Sequence, residues 1–283
     1  IAAQVLRVDS TRLDPGQRRA FIELLLHATR LAMASAAAAT ALDYLAQTNR
    51  LLTEVTPTDD ELVRTVALLR THALILNADY TSADDQVSIL LADTSEPLVR
   101  AELYRLRCEI YCLRGDYAAA VRTAIDGLAL LDFLLPYAPT DAQAEQAWQA
   151  LQEALAGRPP AVFTTLADIQ DTGVQAVVEL LAALVIPGSL IQPNLMLMTT
   201  CQIATLTLQH GISAAAVHAI AWLGVSSAHR FDAYSRGFDF AATAHKLVEQ
   251  PRFLSIKVSA LLALDQVSVW TRPLPFALEC AES

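Results

Sequence analysis

Six histidines and four cysteines are the residues of this chain best suited to nucleophilic or metal chemistry, and their spacing organises neither. None of His27, His72, His210, His218, His229 and His245 falls in a His-Glu-x-x-His pattern, and none pairs with a cysteine at short zinc-ligand spacing. Cys108 and Cys112 stand one helical turn apart and could supply half a metal site, but no nearby Cys/His pair completes it. They read instead as small buried hydrophobes. Cys201 and Cys280 are isolated, and a reducing compartment is the simplest setting for all four. The carboxylate pairs Asp59-Asp60 and Asp84-Asp85 lie in a capping box and just after a turn, where helix-terminus electrostatics accounts for them. Ser226-Ser227 near His229 is a local helical neighbourhood with no Gly-x-Ser-x-Gly elbow around it. No Gly-rich loop followed by Lys-Ser/Thr is present to cradle phosphates. The expectation is no catalytic residue, no metal and no cofactor in this segment.

The elements that would position any site are legible in a recurring turn. Leu113-Arg114-Gly115-Asp116-Tyr117 opens an apolar helix with Ala120 three residues after the tyrosine. Asn77-Ala78-Asp79-Tyr80, with Ala83, repeats it 37 residues upstream, and Asp232-Ala233-Tyr234 repeats it with Gly237 in the place of the alanine. A small residue where two helices cross, returning at this period, marks stacked helical hairpins. A hydrophobic fraction of 54%, swollen by alanine, with only 9 glycines, favours helix nearly everywhere, so the fold class is all-α. The pattern predicts a helix from Pro15 to Ala34, a second to about Glu54, and a third from the Thr58-Asp59-Asp60-Glu61 capping box with Leu62, Val66, Leu69, Ala73 and Leu76 on one face. A further helix from Pro97 places Leu103, Leu106, Ile110 and Leu113 inward, and the next runs from Tyr117 to Leu135. Residues 1–137 thus read as N-terminal hairpins and 138–172 as an irregular connector rich in Pro and Gly around one helix. Residues 173–283 read as C-terminal hairpins, with Pro187-Gly188 stopping one helix and Pro251 starting another that reaches Trp270.

Net charge is −10, and only Lys246 and Lys257 among the basic residues are lysines. No basic stripe follows a helix face, which argues against nucleic acid and for a basic partner. The longest apolar run, 176–186, carries Glu179 and is too short to cross a membrane, so no membrane partner is expected. With no signal-like start, the chain is expected to be cytoplasmic and part of a longer polypeptide.

Three sets of residues carry a family resemblance. They are the turn around Ala32–Leu45, the Gly115-Asp116-Tyr117-Ala118-Ala119-Ala120 turn, and the ordered C-terminal run. That run passes from Leu208-Gln209-His210-Gly211 through Ala221-Trp222-Leu223-Gly224 and Phe238-Asp239-Phe240 to Trp270-Thr271-Arg272-Pro273-Leu274. Together they resemble the tetratricopeptide-like helical region of large bacterial multidomain signalling ATPases of the kinase/ATPase/sensor histidine kinase type. The resemblance implies hairpins stacked in a right-handed superhelix, an α-solenoid, acting as a non-catalytic sensor or protein-interaction module. Such a module would bind a protein, a peptide or a small ligand in its groove and relay the event to fused ATPase or kinase modules. The ligand-sensing arm of an ATPase-type transcription activator is the alternative, and an all-α enzyme a third reading. In such superhelices the first helix of each pair lines the groove. That geometry selects Glu23, Arg30, His72, Glu102, Arg105, Glu109, Trp222, Ser226, His229 and Arg230 as candidate contacts.

Overall fold

In the computed structural model the described residues are 13–53 and 60–273, with 275, 276 and 278 beyond them. Thr58 and Asp59 of the expected capping box, the end of the second helix at Glu54, Leu274 and Cys280 lie outside the described residues. Among the described residues there are thirteen α-helices and no strand, only an isolated parallel bridge between Asp168 and Ile212. The chain divides into two compact units, residues 1–95 and 96–283.

The first unit holds α1 (Pro15–Ala34), α2 (Ala38–Thr53), α3 (Asp60–Leu76) and α4 (Tyr80–Asp93), each packed on its sequence neighbour. Asp14 caps α1 with a reciprocal bond to Gln17, which satisfies orphan amides at both ends of the box. Ile22, Leu25, Leu45, Leu51 and Val66 form the core of this unit. Leu76 does not join the inward face of α3: it is 54% exposed, because the helix ends there in the turn, and Leu74 and Ile75 are buried instead.

Two copies of the recurring turn share one hydrogen-bond plan, whereas in the third Asp232 itself takes the left-handed backbone and Ala233 gives the next helix no side-chain cap. Asp79 and Asp116 donate their amides to carbonyls five residues back, at Leu74 and Tyr111, after a residue in the left-handed region, Ala78 or Gly115. This is the double closure of a helix C-terminus that leaves few carbonyls orphaned. The same aspartates then cap the next helix by accepting from Ser82 and Ala119. One residue therefore ends the reversal with its backbone amide and starts the following helix with its side chain.

The second unit opens with α5 (Pro97–Leu113) and α6 (Tyr117–Ala129), then α7 (Asp141–Leu155), a 3-10 turn (Pro160–Thr165), α8 (Thr172–Ala183) and α9 (Val185–Ile191). It continues with α10 (Pro193–His210), α11 (Ala214–Phe231), α12 (Tyr234–Val248), a 3-10 turn (Pro251–Ile256) and α13 (Lys257–Ser268). Packing does not follow sequence throughout. The helix laid across α5 and α6 is α8, which packs also on α10 and α11, and α13 closes on α11 and α12. In space the order is α5/α6, α8/α10, α11/α12, α13. The region expected as a connector supplies α7, capped by a Thr140–Gln143 box, and α7 packs on α10 as an extra helix. The expected boundary at 137/138 falls inside this unit.

Four other expectations differ. Helix α6 ends at Ala129, not Leu135, where Asp132 takes a left-handed backbone. Leu113, in the last turn of α5, is half-exposed while Leu103, Leu106 and Ile110 are fully buried. Pro187-Gly188 does not stop a helix. The break is at Leu184, and Pro187 sits in the first turn of α9, where its missing amide costs no intrahelical bond. Finally, the stretch Thr172–Ile191 is 20 residues long and apolar enough to cross a membrane by length and composition, with half of it buried in the unit. Burial of α8 and α9 against α5, α6 and α10 accounts for that composition.

The tightest crossing is between α11 and α12. A Cβ on Gly237 would lie 2.5 Å from the Gly224 carbonyl oxygen, and one on Gly224 would lie 2.5 Å from the Gly237 oxygen. Ala83 and Ala120, the equivalents of Gly237 in the other turns, are fully buried.

Candidate functional site

The ten expected groove residues are divided between the two units. Glu23 and Arg30 are exposed on α1, with Glu23 paired to Arg19 at 3.5 Å, and His72 is half-buried on α3. The other seven belong to the second unit. On α5, Arg105 lies between Glu102 at 3.3 Å and Glu109 at 3.6 Å, so the three expected contacts pair with one another along one helix face. The Arg105 side chain is only 24% exposed while the side chains of Glu102 and Glu109 are more open to solvent, and two carboxylates against one guanidinium leave the stripe net negative.

Ser226, His229 and Arg230 are brought together where α11 ends. With Val225 they form one wall of a cleft of about 280 Å³ whose other wall is Pro193, Asn194, Met196 and Leu197 at the start of α10. Two neighbouring carboxylates fix the wall. The Arg230 guanidinium reaches Asp141 at 3.3 Å and Glu145 at 3.0 Å, both on α7. Asn194 donates to Asp141 Oδ1 at 2.8 Å and to the Pro139 carbonyl at 3.2 Å. The beginnings of α7 and α10 and the end of α11 are thereby tied by one polar cluster over an apolar floor. The ring of His229 stands edge-on to Tyr234, with centroids 5.9 Å apart.

Trp222 belongs elsewhere. It is 9% exposed, and its indole N–H donates to Ser259 Oγ on α13 at 2.9 Å, so it is a packing residue and not a groove contact. It lies on the first helix of its hairpin, but α13 covers that face. Ser259 Oγ also stands 2.8 Å from His218 Nδ1. An indole N–H can only donate, so the serine accepts from Trp222, and its own proton or its second lone pair meets Nδ1 of a neutral imidazole. Burial pushes the His218 pKa down to about 4, consistent with that neutral form.

A second cleft of about 400 Å³ runs between α7 and α10. Its lining is uncharged: Phe133, Gln143, Gln146, Ala147, Ala150, Met198, Gln202, Thr205 and Leu206. Gln202 Oε1 is buried there without a hydrogen-bond partner. Among the described residues, no group of three or more His, Cys, Asp or Glu side chains could hold a metal ion.

No family model and no curated protein matches the chain.

The clefts therefore have to be judged on geometry alone. Asp141, Glu145, Asn194 and Gln202 were not legible as site residues. Their significance depends on α7 folding back onto α10, and no local pattern announces that.

Proposed function

We propose that this chain is a non-catalytic sensor or interaction module of a bacterial signal-transduction ATPase, built as a tetratricopeptide-like superhelix of helical hairpins. It takes a basic or mixed-charge protein segment at the α7/α10/α11 polar cluster. The observation that carries this reading is the tie of Arg230 to both Asp141 and Glu145 beside an open cleft. Two carboxylates share one guanidinium, so a lysine or arginine from a partner finds an acceptor already in place. These groups are 36 to 73% exposed, and exchanging one partner for another costs little.

A segment seated there competes with Arg230 for the α7 carboxylates. It thereby loosens or shifts α7 and α10 relative to α11, and a ligand moves such an equilibrium only by its different affinity for the two arrangements. The fused modules at either end would read that change. The small ligand of the same reading has its best seat in the uncharged cleft.

The test is calorimetric titration of the chain with an arginine-rich and a glutamate-rich peptide of equal length, at low and high salt. The basic peptide should bind, weaken with salt, and lose affinity about two- to fivefold in Glu145→Lys, the equivalent of one exposed ion pair of ~0.5–1 kcal/mol. Reversing Glu102 and Glu109 to Lys reports on the α5 stripe in the same way. Equal binding of both peptides, or affinity indifferent to all three reversals with folding intact by circular dichroism, overturns the reading.

A further inference from the structure

We propose that Cys108 and Cys112 form a peroxide-responsive dithiol switch at the end of α5, with Cys112 as the attacking thiolate, Cys108 as the resolving thiol and an intrahelical disulfide as the product. The two residues are four apart on one helix, so their side chains stand one above the other on the same face. Helix geometry places their Cα atoms about 6.2 Å apart, inside the range a disulfide spans. Their Cβ atoms, about 5–6 Å apart in a regular helix, must approach to about 4 Å, so closure has to tighten the turn between them.

That turn is placed to yield. Cys112 lies in the last turn of α5, its carbonyl already accepting from both Arg114 and Gly115 in a shortened pattern, and Gly115 beyond it takes φ +76°. The same turn in mid-helix would resist. The two thiols also differ in their surroundings. Cys108 is fully buried and donates its S–H toward the Ala183 carbonyl of α8 at 3.7 Å, whereas Cys112 is half-buried and within reach of a small oxidant. Hydrogen bonding with Cys108 holds the Cys112 thiol below its ordinary pKa, against the opposing effects of burial and Glu109. The same hydrogen bond, with burial, holds the Cys108 thiol up. Of the two, Cys112 is the thiol that ionises first, and it is also the one a small oxidant can reach.

The reaction balances with hydrogen peroxide as oxidant. The Cys112 thiolate attacks one peroxide oxygen, the O–O bond breaks, and hydroxide leaves as Cys112 becomes a sulfenic acid. The Cys108 sulfur then displaces that hydroxyl, the S–S bond forms, and its thiol proton leaves with the hydroxyl as water. Two thiols are oxidised by two electrons and one peroxide is reduced. Closure withdraws Cys108 from Ala183 and tightens the helix end that leads into the Asp116 turn, so it acts on the contact between α5 and α8 and on the α5/α6 hairpin together.

The experiment uses the intact chain. Trypsin cuts after Arg107 and Arg114, so both cysteines fall in one peptide, apart from Cys201 and Cys280. The protein is treated with hydrogen peroxide beside free glutathione as a dose control, alkylated in denaturant, digested and weighed. The Cys108–Arg114 peptide should lose two hydrogens and escape alkylation, a change that dithiothreitol reverses, while the Cys201 and Cys280 peptides stay alkylated. In Cys108→Ser, dimedone should label Cys112; in Cys112→Ser, Cys108 should stay unlabelled. Full alkylation of the Cys108–Arg114 peptide at a dose that oxidises the glutathione, or dimedone labelling of Cys108 in Cys112→Ser, overturns the proposal.

Discussion

Gly237→Ala puts a methyl group where α11 and α12 approach most closely, and the geometry fixes the sign of its effect. The new Cβ would lie 2.5 Å from the Gly224 oxygen and 2.7 Å from the Ala228 Cβ, against ordinary contacts that begin near 3.4 Å. Relief requires the helices to part by about 0.9 Å, a gap that forfeits a quarter to a half of the dispersion energy along the seam. Neither obstacle is the far end of a flexible side chain: one is backbone and the other a Cβ. With two rigid obstacles the overpacking cost lies in the upper part of its usual range, ~2–3 kcal/mol, and the better helix propensity of alanine returns up to ~1 kcal/mol. The expected net loss is therefore about 1–2 kcal/mol, or roughly 2–8 °C in Tm for a unit of this size. Trp148, Trp222 and Trp270 all lie in the second unit, so tryptophan fluorescence in a urea titration follows that unit alone. Gly188→Ala is the control. Its Cβ would meet Met196 N at 3.4 Å and Leu195 Cγ at 3.6 Å, ordinary contacts, so alanine in α9 should be neutral or up to ~1 kcal/mol stabilising. A Gly237→Ala midpoint at or above wild type would refute the close crossing, whatever the control does.

His218 should make the second unit acid-sensitive in a defined window. Its folded pKa, pushed down to about 4, lies below the ordinary 6.5, so the unfolded chain takes up the proton first. This contribution is complete above about pH 6.5 and drains between 6.5 and 4 at up to ~1.4 kcal/mol per pH unit. Urea midpoints of wild type and His218→Gln across that range should converge as pH falls, and parallel curves would show that the imidazole is not buried as described. Ala120→Leu, at the fully buried small-residue position of α6, should cost about 1–3 kcal/mol in the same titration, and an unchanged midpoint would mean that the α5/α6 contact does not pass through Ala120.

What could be read from the residues and what could not divide along one physical line. Helix starts were legible wherever a side chain caps the backbone locally, as Asp14, Asp79, Asp116, Thr140 and Ser213 do. The small residue after each turn was legible because its burial follows from the hairpin itself. Helix ends were less so, since Leu184 breaks α8 from α9 without any glycine or proline at the break. The site was legible only in halves. Ser226, His229 and Arg230 follow from helical spacing on α11, while their partners Asp141, Glu145 and Asn194 depend on tertiary placement of α7 and α10. Trp222 marks the same limit from the other side, because its groove position is cancelled by α13, whose docking no local spacing encodes.

The misplaced helix explains the cluster. With α7 left out, the second unit keeps a regular alternation in which each new hairpin packs on the previous one: α5/α6, α8/α10, α11/α12, and α13 following. A strictly regular stack would leave the outer face of α10 to solvent and Arg230 without its carboxylates. The chain instead spends the residues between α6 and α8 on a helix that returns to cover α10, and the price is a run of Pro and Gly on either side of it. What the insertion gains is both clefts: the uncharged one lies between α7 and α10, and the polar one is walled by α10 and α11 and tied by the first turns of α7. Binding sites on repeat proteins need features that break the repeat, since a uniform surface offers every ligand several equivalent registers. Here the irregular helix supplies that break, so under the proposed function binding of the basic peptide should be lost when α7 is weakened, with the α11/α12 crossing unaffected.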